Sequence, residues 1–194
     1  MIEVYSQNLD GVWFGVAYAK QQIIASSFST SEQQTLGNML TIIPYNTPFQ
    51  VFHEPSGFAK DILASLKEIY DGENVNATFP LAYSHLPAYT QKVLKATLQV
   101  PLGYVTSYGS IAKAIGGSPR AVGNVMASNP FAPIVPCHRV VKSDFTLGGY
   151  GGGLKVKVEF LRREKKGSST SKQIPVNGRN LTVFPVECVL GNLV

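Results

Sequence analysis

Apolar side chains in the first part of the chain fall into short dense runs. Val12-Trp-Phe-Gly-Val-Ala-Tyr-Ala19 and Gln22-Ile-Ile-Ala-Ser-Ser-Phe28 are rich in β-branched and aromatic residues and predict two strands. Lys20-Gln21 between them predicts a short hairpin connection, although it is not a strong turn dipeptide. Ser31 and Glu32 predict a helix start, with the helix running to about Ile42 and closed by Pro44. Phe49-Gln-Val-Phe52 reads as a further short strand. Ile62, Leu63, Leu66, Ile69 and Tyr70 recur at helical spacing and predict a helix over 58–70, ended by Asp71-Gly72. Turn-forming residues and prolines between Asn74 and Pro87 predict a linker to a second domain beginning near residue 88.

Helical spacing dominates the second half. Thr90–Leu98 predicts a helix with Val93, Leu94 and Leu98 inward, stopping before Pro101, and Tyr104-Val-Thr-Ser is extended. Thr106 or Ser107 caps a helix through Ile115, with Ile111, Ala112 and Ile115 on its buried side. Gly116-Gly117 supplies a tight turn, Ser118 a second N-cap and Pro119 the first position of a helix through about Ala127. Helix, glycine turn and capped helix together predict a helix-turn-helix. Leu154–Lys166 predicts another helix, with Leu154, Val158 and Leu161 inward. After a serine-rich linker, Leu181–Phe184 and Val186–Leu190 read as paired strands or as segments packed on a domain surface. The expected fold class is α/β (α+β). A small sheet-plus-helix scaffold covers 1–87, a mainly helical helix-turn-helix domain covers 88–166, and a tail without an assigned role covers 167–194.

Composition narrows this picture. A 194-residue chain with 44% apolar and 15% charged residues is globular rather than disordered. Charge is unevenly placed. Residues 1–88 hold three Lys/Arg against eight Asp/Glu, a net of −5, and residues 89–194 hold fourteen against four, a net of +10. A basic second half points to a polyanionic partner, or to nothing more than a solvated basic face. Two cysteines make no disulfide framework, and the opening Met-Ile-Glu-Val-Tyr-Ser lacks the pattern of a signal peptide. No run reaches the roughly 18 apolar residues of a membrane span. An intracellular, cytoplasmic protein is expected. His53 and His85 stand apart from each other and from Cys137, and no tetrahedral zinc set is evident.

The chemistry concentrates in Pro130-Phe-Ala-Pro-Ile-Val-Pro-Cys-His-Arg-Val-Val-Lys142. Flanking prolines predict a stiff extended segment that presents Cys137 beside His138 and Arg139. A free thiol is on the order of 3% ionised at neutral pH, and a neighbouring base or positive charge raises that fraction. The other reading of Cys137 is a small buried hydrophobe. The second helix of the helix-turn-helix carries small residues, Ala121, Gly123 and Ala127, and Arg120 is its one cation. That suits a close approach to a minor groove better than base reading in a major groove, unless the small residues serve core packing. Gly148–Gly153 lacks the Gly-Lys-Ser/Thr ending of a nucleotide-binding loop.

Pro-Cys-His-Arg-Val, preceded by Asn129-Pro130 and followed by Gly149-Tyr150-Gly-Gly-Gly-Leu154, resembles the active-site signature of the O6-alkylguanine-DNA alkyltransferases. The resemblance runs from about Tyr89 to Glu164. It implies DNA repair by direct reversal, in which the alkyl group of O6-alkylguanine moves irreversibly onto Cys137, once per molecule and without a cofactor or metal. It also implies a Glu164–His138–water–Cys137 relay, with Asn129 bracing the turn near the cysteine. Met126, Tyr150, the Gly151 amide and the Cys137 and Val140 carbonyls would form the guanine pocket. The partner would be double-stranded DNA, gripped by a monomer through the minor groove by the helix of Ser118, Ala121 and Gly123. Arg120 would fill the space left by a flipped nucleotide, and Tyr108 would meet the adjacent phosphate and donate a hydrogen bond to the departing purine. Family members often have serine where this chain has Gly151, so one hydroxyl contact is lost. A non-catalytic lesion sensor and a cysteine hydrolase are the alternatives. The cysteine argues against the first, and the basic helix-turn-helix is unexplained by the second.

Overall fold

The structure, a computed structural model, describes residues 1–193 and divides the chain into two compact units. The first comprises Met1–His85 together with Pro130–Ile134, and the second Leu86–Asn129 with Val135 onward.

The first unit is a four-stranded sheet of order β3-β2-β1-β4, built from β1 (Ile2–Leu9), β2 (Val12–Ala19), β3 (Gln22–Ser29) and β4 (Phe49–Phe52). β1–β2 and β2–β3 are antiparallel, and β1–β4 is parallel. The strand β1 adds to the three strands expected from sequence, and its turn to β2 is Asp10-Gly11, both at positive φ. Lys20 and Gln21 also take positive φ, the backbone a two-residue hairpin needs without the residues that usually favour it. Helix α1 (Glu32–Leu40) and helix α2 (Gly57–Tyr70) pack on the sheet through alternate residues of β2. Gly15 faces Thr35 and Met39 of α1, while Phe14 and Tyr18 meet Tyr70 and Phe58 of α2. This explains why β2 is apolar along its whole length: both faces are covered. α1 stops at Leu40, two residues short of expectation. The segment Pro130–Ile134 joins this unit at β3, where the Ser26 amide donates to Pro130 O at 2.9 Å and Ser26 Oγ donates to Ala132 O at 2.9 Å.

The second unit is less purely helical than its sequence suggested. Helices α3 (Ala88–Leu98), α4 (Tyr108–Ile115), α5 (Pro119–Ala127) and α6 (Leu154–Arg163) accompany a second four-stranded sheet. Its order is β6-β5-β8-β7, from β5 (Tyr104–Ser107), β6 (Val140–Val141), β7 (Lys172–Val176) and β8 (Arg179–Pro185). The tail therefore completes the sheet. β7 and β8 form an antiparallel hairpin closed by Asn177-Gly178, both at positive φ, and β8 pairs with β5. Val186–Leu190 is not a strand: Glu187–Leu190 forms the short helix α7, and Val186 and Val189 join Val105, Val141 and Leu161 in one buried cluster. A short apolar run suits either period, and packing decided it.

Three further readings change. α3 buries Val93, Leu94, Ala96 and Thr97, leaving Leu98 exposed. α6 ends at Arg163 rather than near Lys166, and its buried face is Lys157, Phe160 and Leu161, with Leu154 exposed. The segment before Cys137 does not run straight through it. Cys137–Arg139 forms a single 3-10 turn in which the Arg139 amide donates to Pro136 O at 2.9 Å.

Candidate active site and nucleic-acid interface

The helix-turn-helix is built by local capping. Ser107 Oγ accepts from the Ser110 amide at 2.9 Å to start α4, and Ser118 Oγ accepts from the Ala121 amide at 3.2 Å to start α5. Between them Gly117 has φ +97°, and a Cβ there would come within 2.8 Å of the Tyr89 ring. Glycine is required on both counts. α5 buries Val122, Val125 and Met126 and leaves Ser118, Pro119 and Arg120 exposed at its first turn.

Tyr108, Pro119, Gly123, Met126, Ala127, Cys137, Lys142 and the loop Gly148–Gly151 line a pocket of about 520 Å³. That volume lies within the usual range of small-molecule sites. Gly148, at positive φ, lies so close to the Tyr108 ring that a Cβ would come within 2.9 Å of it, and Tyr108 Oη donates to Gly149 O at 3.5 Å. The glycine loop and the tyrosine thus form one continuous wall.

Cys137 sits in this wall at 7% exposure. Asn129 Nδ2 donates to Val135 O at 2.9 Å and its side chain also bonds the thiol, so Asn129 holds the turn that aims the sulfur. Burial pushes the thiol pKa up, against smaller lowering effects from Asn129 and the charge of Lys157. The resting sulfur is therefore protonated at neutral pH. This corrects the expectation that neighbouring positive charge would leave a raised thiolate fraction.

An imidazole is adjacent in sequence. His138 is fully buried, its ring stacked on Phe160 with centroids 4.2 Å apart, and its Nε2 lies 2.7 Å from Glu164 Oε1. Burial lowers the His138 pKa, so the imidazole is neutral and donates Nε2–H to the carboxylate. Nδ1 then carries the lone pair, and among the described residues it has no hydrogen-bond partner. Glu164 sits at the C-cap of α6 and is also fully buried. Arg139 Nε and Nη2 donate to its two oxygens at 2.9 Å each, and Arg139 Nη1 donates to Val100 O at 2.7 Å. Burial alone would push the Glu164 carboxyl up, but the neighbouring His138 and Arg139 outweigh it and hold it at about 2.

One buried charge was missed from sequence. Lys157 is inaccessible to solvent, and its Nζ donates to Val140 O at 2.7 Å, Gly149 O at 3.2 Å and Leu147 O. Burial lowers its pKa to about 8, opposed by the nearby Cys137. The three carbonyls fasten the glycine loop to β6. Its position one turn before Phe160 and Leu161, two turns before Glu164, was the available signal, masked because two of those four residues are charged.

The structure brings Cys137, Tyr108, Met126, Tyr150 and Gly151 into the pocket wall. Asn129, His138 and Glu164 adjoin Cys137 through the contacts above. Val140 is fully buried and does not line the pocket, and its carbonyl is already bonded to Lys157. The Cys137 carbonyl likewise already accepts from the Val140 amide. Each has a second lone pair left. Ser118 and Arg120 stand exposed outside the pocket, and Ala121 is half-buried. Among the described residues no group of three or more His, Cys, Asp or Glu could hold a metal ion, and no helix is long and apolar enough to cross a membrane.

Fold and site together define a helix-turn-helix domain that carries a buried free thiol beside a carboxylate–imidazole pair. Residues 88–166 match the family described as "6-O-methylguanine DNA methyltransferase, DNA binding domain". A methylated-DNA–protein-cysteine methyltransferase of Pyrobaculum aerophilum is 56% identical over 38% of this chain and 49% of its own length, and one of Methanothermobacter thermautotrophicus is 36% identical over 54% and 60%. The match thus spans about half the length of such curated relatives. Among solved structures, an O6-methylguanine methyltransferase variant of Mycobacterium tuberculosis is 30% identical, with TM-score 0.66, over 88% of this chain and 96% of that one. The Pyrococcus kodakaraensis O6-methylguanine-DNA methyltransferase has TM-score 0.67 at 28% identity, over 84% and 99%. The chain belongs to the O6-methylguanine-DNA methyltransferase family.

Proposed function

We propose that the chain repairs DNA by moving the alkyl group of O6-alkylguanine onto Cys137. The observation that carries this reading is a protonated, buried thiol in the wall of a pocket of about 520 Å³, roomy enough to admit a purine, next to an imidazole locked by Glu164 in the tautomer that leaves Nδ1 basic. As the base enters, Nδ1 takes the thiol proton through one bridging water, since His138 makes no direct bond to the sulfur. The sulfur attacks the alkyl carbon in line, the S–C bond forms as the C–O6 bond breaks, and the purine keeps the bonding pair. A proton returned to the purine, with Tyr108 as hydrogen-bond donor beside Cys137, releases plain guanine. The thioether has no route back, so each molecule acts once.

The monomer would grip the minor groove through α5, where Ser118, Ala121 and Gly123 permit close approach and exposed Arg120 enters the stack behind the flipped base. The basic second half supports a DNA partner, and a Mycobacterium tuberculosis relative has been solved in complex with DNA. Met126, Tyr150, the Gly151 amide and the free lone pairs of the Cys137 and Val140 carbonyls would hold the guanine.

Duplex DNA carrying a radiolabelled O6-methyl group tests this directly. One label per protein on Cys137, none on Cys137→Ser with duplex affinity retained, is expected. A folded, DNA-binding wild-type chain with an unlabelled thiol would end the proposal.

A further inference from the structure

The proline segment before Cys137 leaves the second unit and returns to it. Asn129 and Val135 belong to that unit, and the five residues between them, Pro130–Ile134, belong to the first. Asn129 Nδ2 donates to Val135 O at 2.9 Å and closes the neck of this loop. Cys137 follows two residues after the neck, and its amide donates to Val135 O at 2.8 Å. Whatever fixes the loop therefore fixes the residues that deliver the thiol.

The loop docks on β3, the strand at one edge of its sheet. An edge strand has amides and carbonyls left over from the ladder, and β3 spends them on two segments. Ile23 pairs with Leu81, its amide donating to Pro80 O at 2.8 Å. Ser26 pairs with Phe131 and makes two bonds: its amide donates to Pro130 O and its Oγ to Ala132 O, both at 2.9 Å. Ser26 is 2% exposed, and Phe131 is inaccessible to solvent, its ring near-perpendicular to that of Tyr83 with centroids 5.5 Å apart. Only the hydroxyl bond depends on the side chain at position 26. Pro133 and Pro136 stand between this grip and Cys137, and their fixed φ leaves the chain few ways to absorb a shift at Ala132.

We propose that Ser26 is a positioning residue for the Cys137 reaction: its hydroxyl, on the first unit's sheet, holds the proline loop so that the thiol is set correctly in its pocket. This rests on the reading that Cys137 accepts the alkyl group. In-line attack tolerates little misplacement, and a shift of about 1 Å costs on the order of 10²-fold in rate. A bond that served only to satisfy the edge of β3 would show in stability alone.

Single-turnover transfer from a labelled O6-methylguanine duplex to the full chain, followed over duplex concentration, separates positioning from support. Ser26→Ala should lower the rate at saturating duplex about 10- to 100-fold, with the duplex concentration for half-maximal rate unchanged. Thr35→Val deletes another buried hydroxyl of the first unit, bonded to Ser31 O at 3.0 Å, and should keep the wild-type rate. Ser26→Thr retains the donor and should keep it too. Iodoacetamide forms a second arm that needs no DNA. It should alkylate Cys137 faster in Ser26→Ala than in wild type or Thr35→Val, because the loosened loop uncovers the thiol. A wild-type transfer rate in folded Ser26→Ala would overturn the proposal, as would equal slowing in Thr35→Val, a loss in Ser26→Thr matching alanine, or equal iodoacetamide rates throughout. A wild-type chain that takes no label from the duplex, with the iodoacetamide order as expected, would sink the repair reading and leave the positioning of the thiol standing.

Discussion

Replacing Glu164 by glutamine removes a charge while keeping nearly the same shape. The carboxylate is fully buried and receives three donors, from His138 at 2.7 Å and Arg139 at 2.9 Å twice. Its pKa of about 2, against an ordinary 4.5, means the folded protein favours the ionised over the neutral form by about 3 kcal/mol. Glutamine imitates the neutral form, so about 3 kcal/mol of stability should go at pH 7, consistent with the cost of breaking a buried ion pair. The pH dependence follows from the sign. A depressed carboxylate stabilises fully above the unfolded pKa, and the contribution fades as pH falls from about 4.5 to about 2. At pH 3 more than half of it has gone, and the gap between wild type and Glu164→Gln should shrink to about 1.4 kcal/mol. Urea denaturation of both proteins at pH 7 and pH 3 measures this. Losing the lock on the His138 tautomer should also slow transfer to Cys137 by about 10²- to 10⁴-fold under conditions where the variant remains folded. A gap below 1 kcal/mol at pH 7, or one equally large at pH 3, would refute the argument.

Other consequences are open to simpler assays. At pH 7 a small thiol reagent should modify half-exposed Cys188 before buried Cys137, as peptide mass spectrometry would show. Lys157→Met should move the pH profile of Cys137 alkylation upward, because the lysine charge lowers that thiol's pKa, and should expose Leu147–Gly151 to protease. Gly117→Ala should cost about 2 kcal/mol or more in denaturation, from positive φ and collision with Tyr89. In a Tyr89→Ala background only the collision part should return.

The parts legible in sequence were those with local rules. Two serine caps, a proline at N1 and a glycine pair mark the helix-turn-helix, and each performs the predicted job in backbone geometry. Glu164 was found by spacing within a resemblance, not by hydrophobic pattern. That pattern failed on α6 because Lys157 and Glu164, on its buried side, satisfy their charges through carbonyls and a guanidinium that sequence cannot display. The tail failed for another reason. β7 buries only Val176, so its residues carry no strand-like alternation, although Asn177-Gly178 was a strong hairpin dipeptide in plain view. The thiol's protonation was misjudged because neighbours in sequence announce charge and say nothing about desolvation.

The β8 strand has a consequence for anyone dividing this protein. It occupies one side of β5, and Val183, Val186 and Val189 from the same tail are inaccessible to solvent. A fragment cut to residues 88–166 would leave a naked ladder of amides and carbonyls next to an uncovered greasy surface, an invitation to self-association. Residues 167–193 are a lid on a sheet margin, and solubility of shortened versions should track whether that margin stays closed.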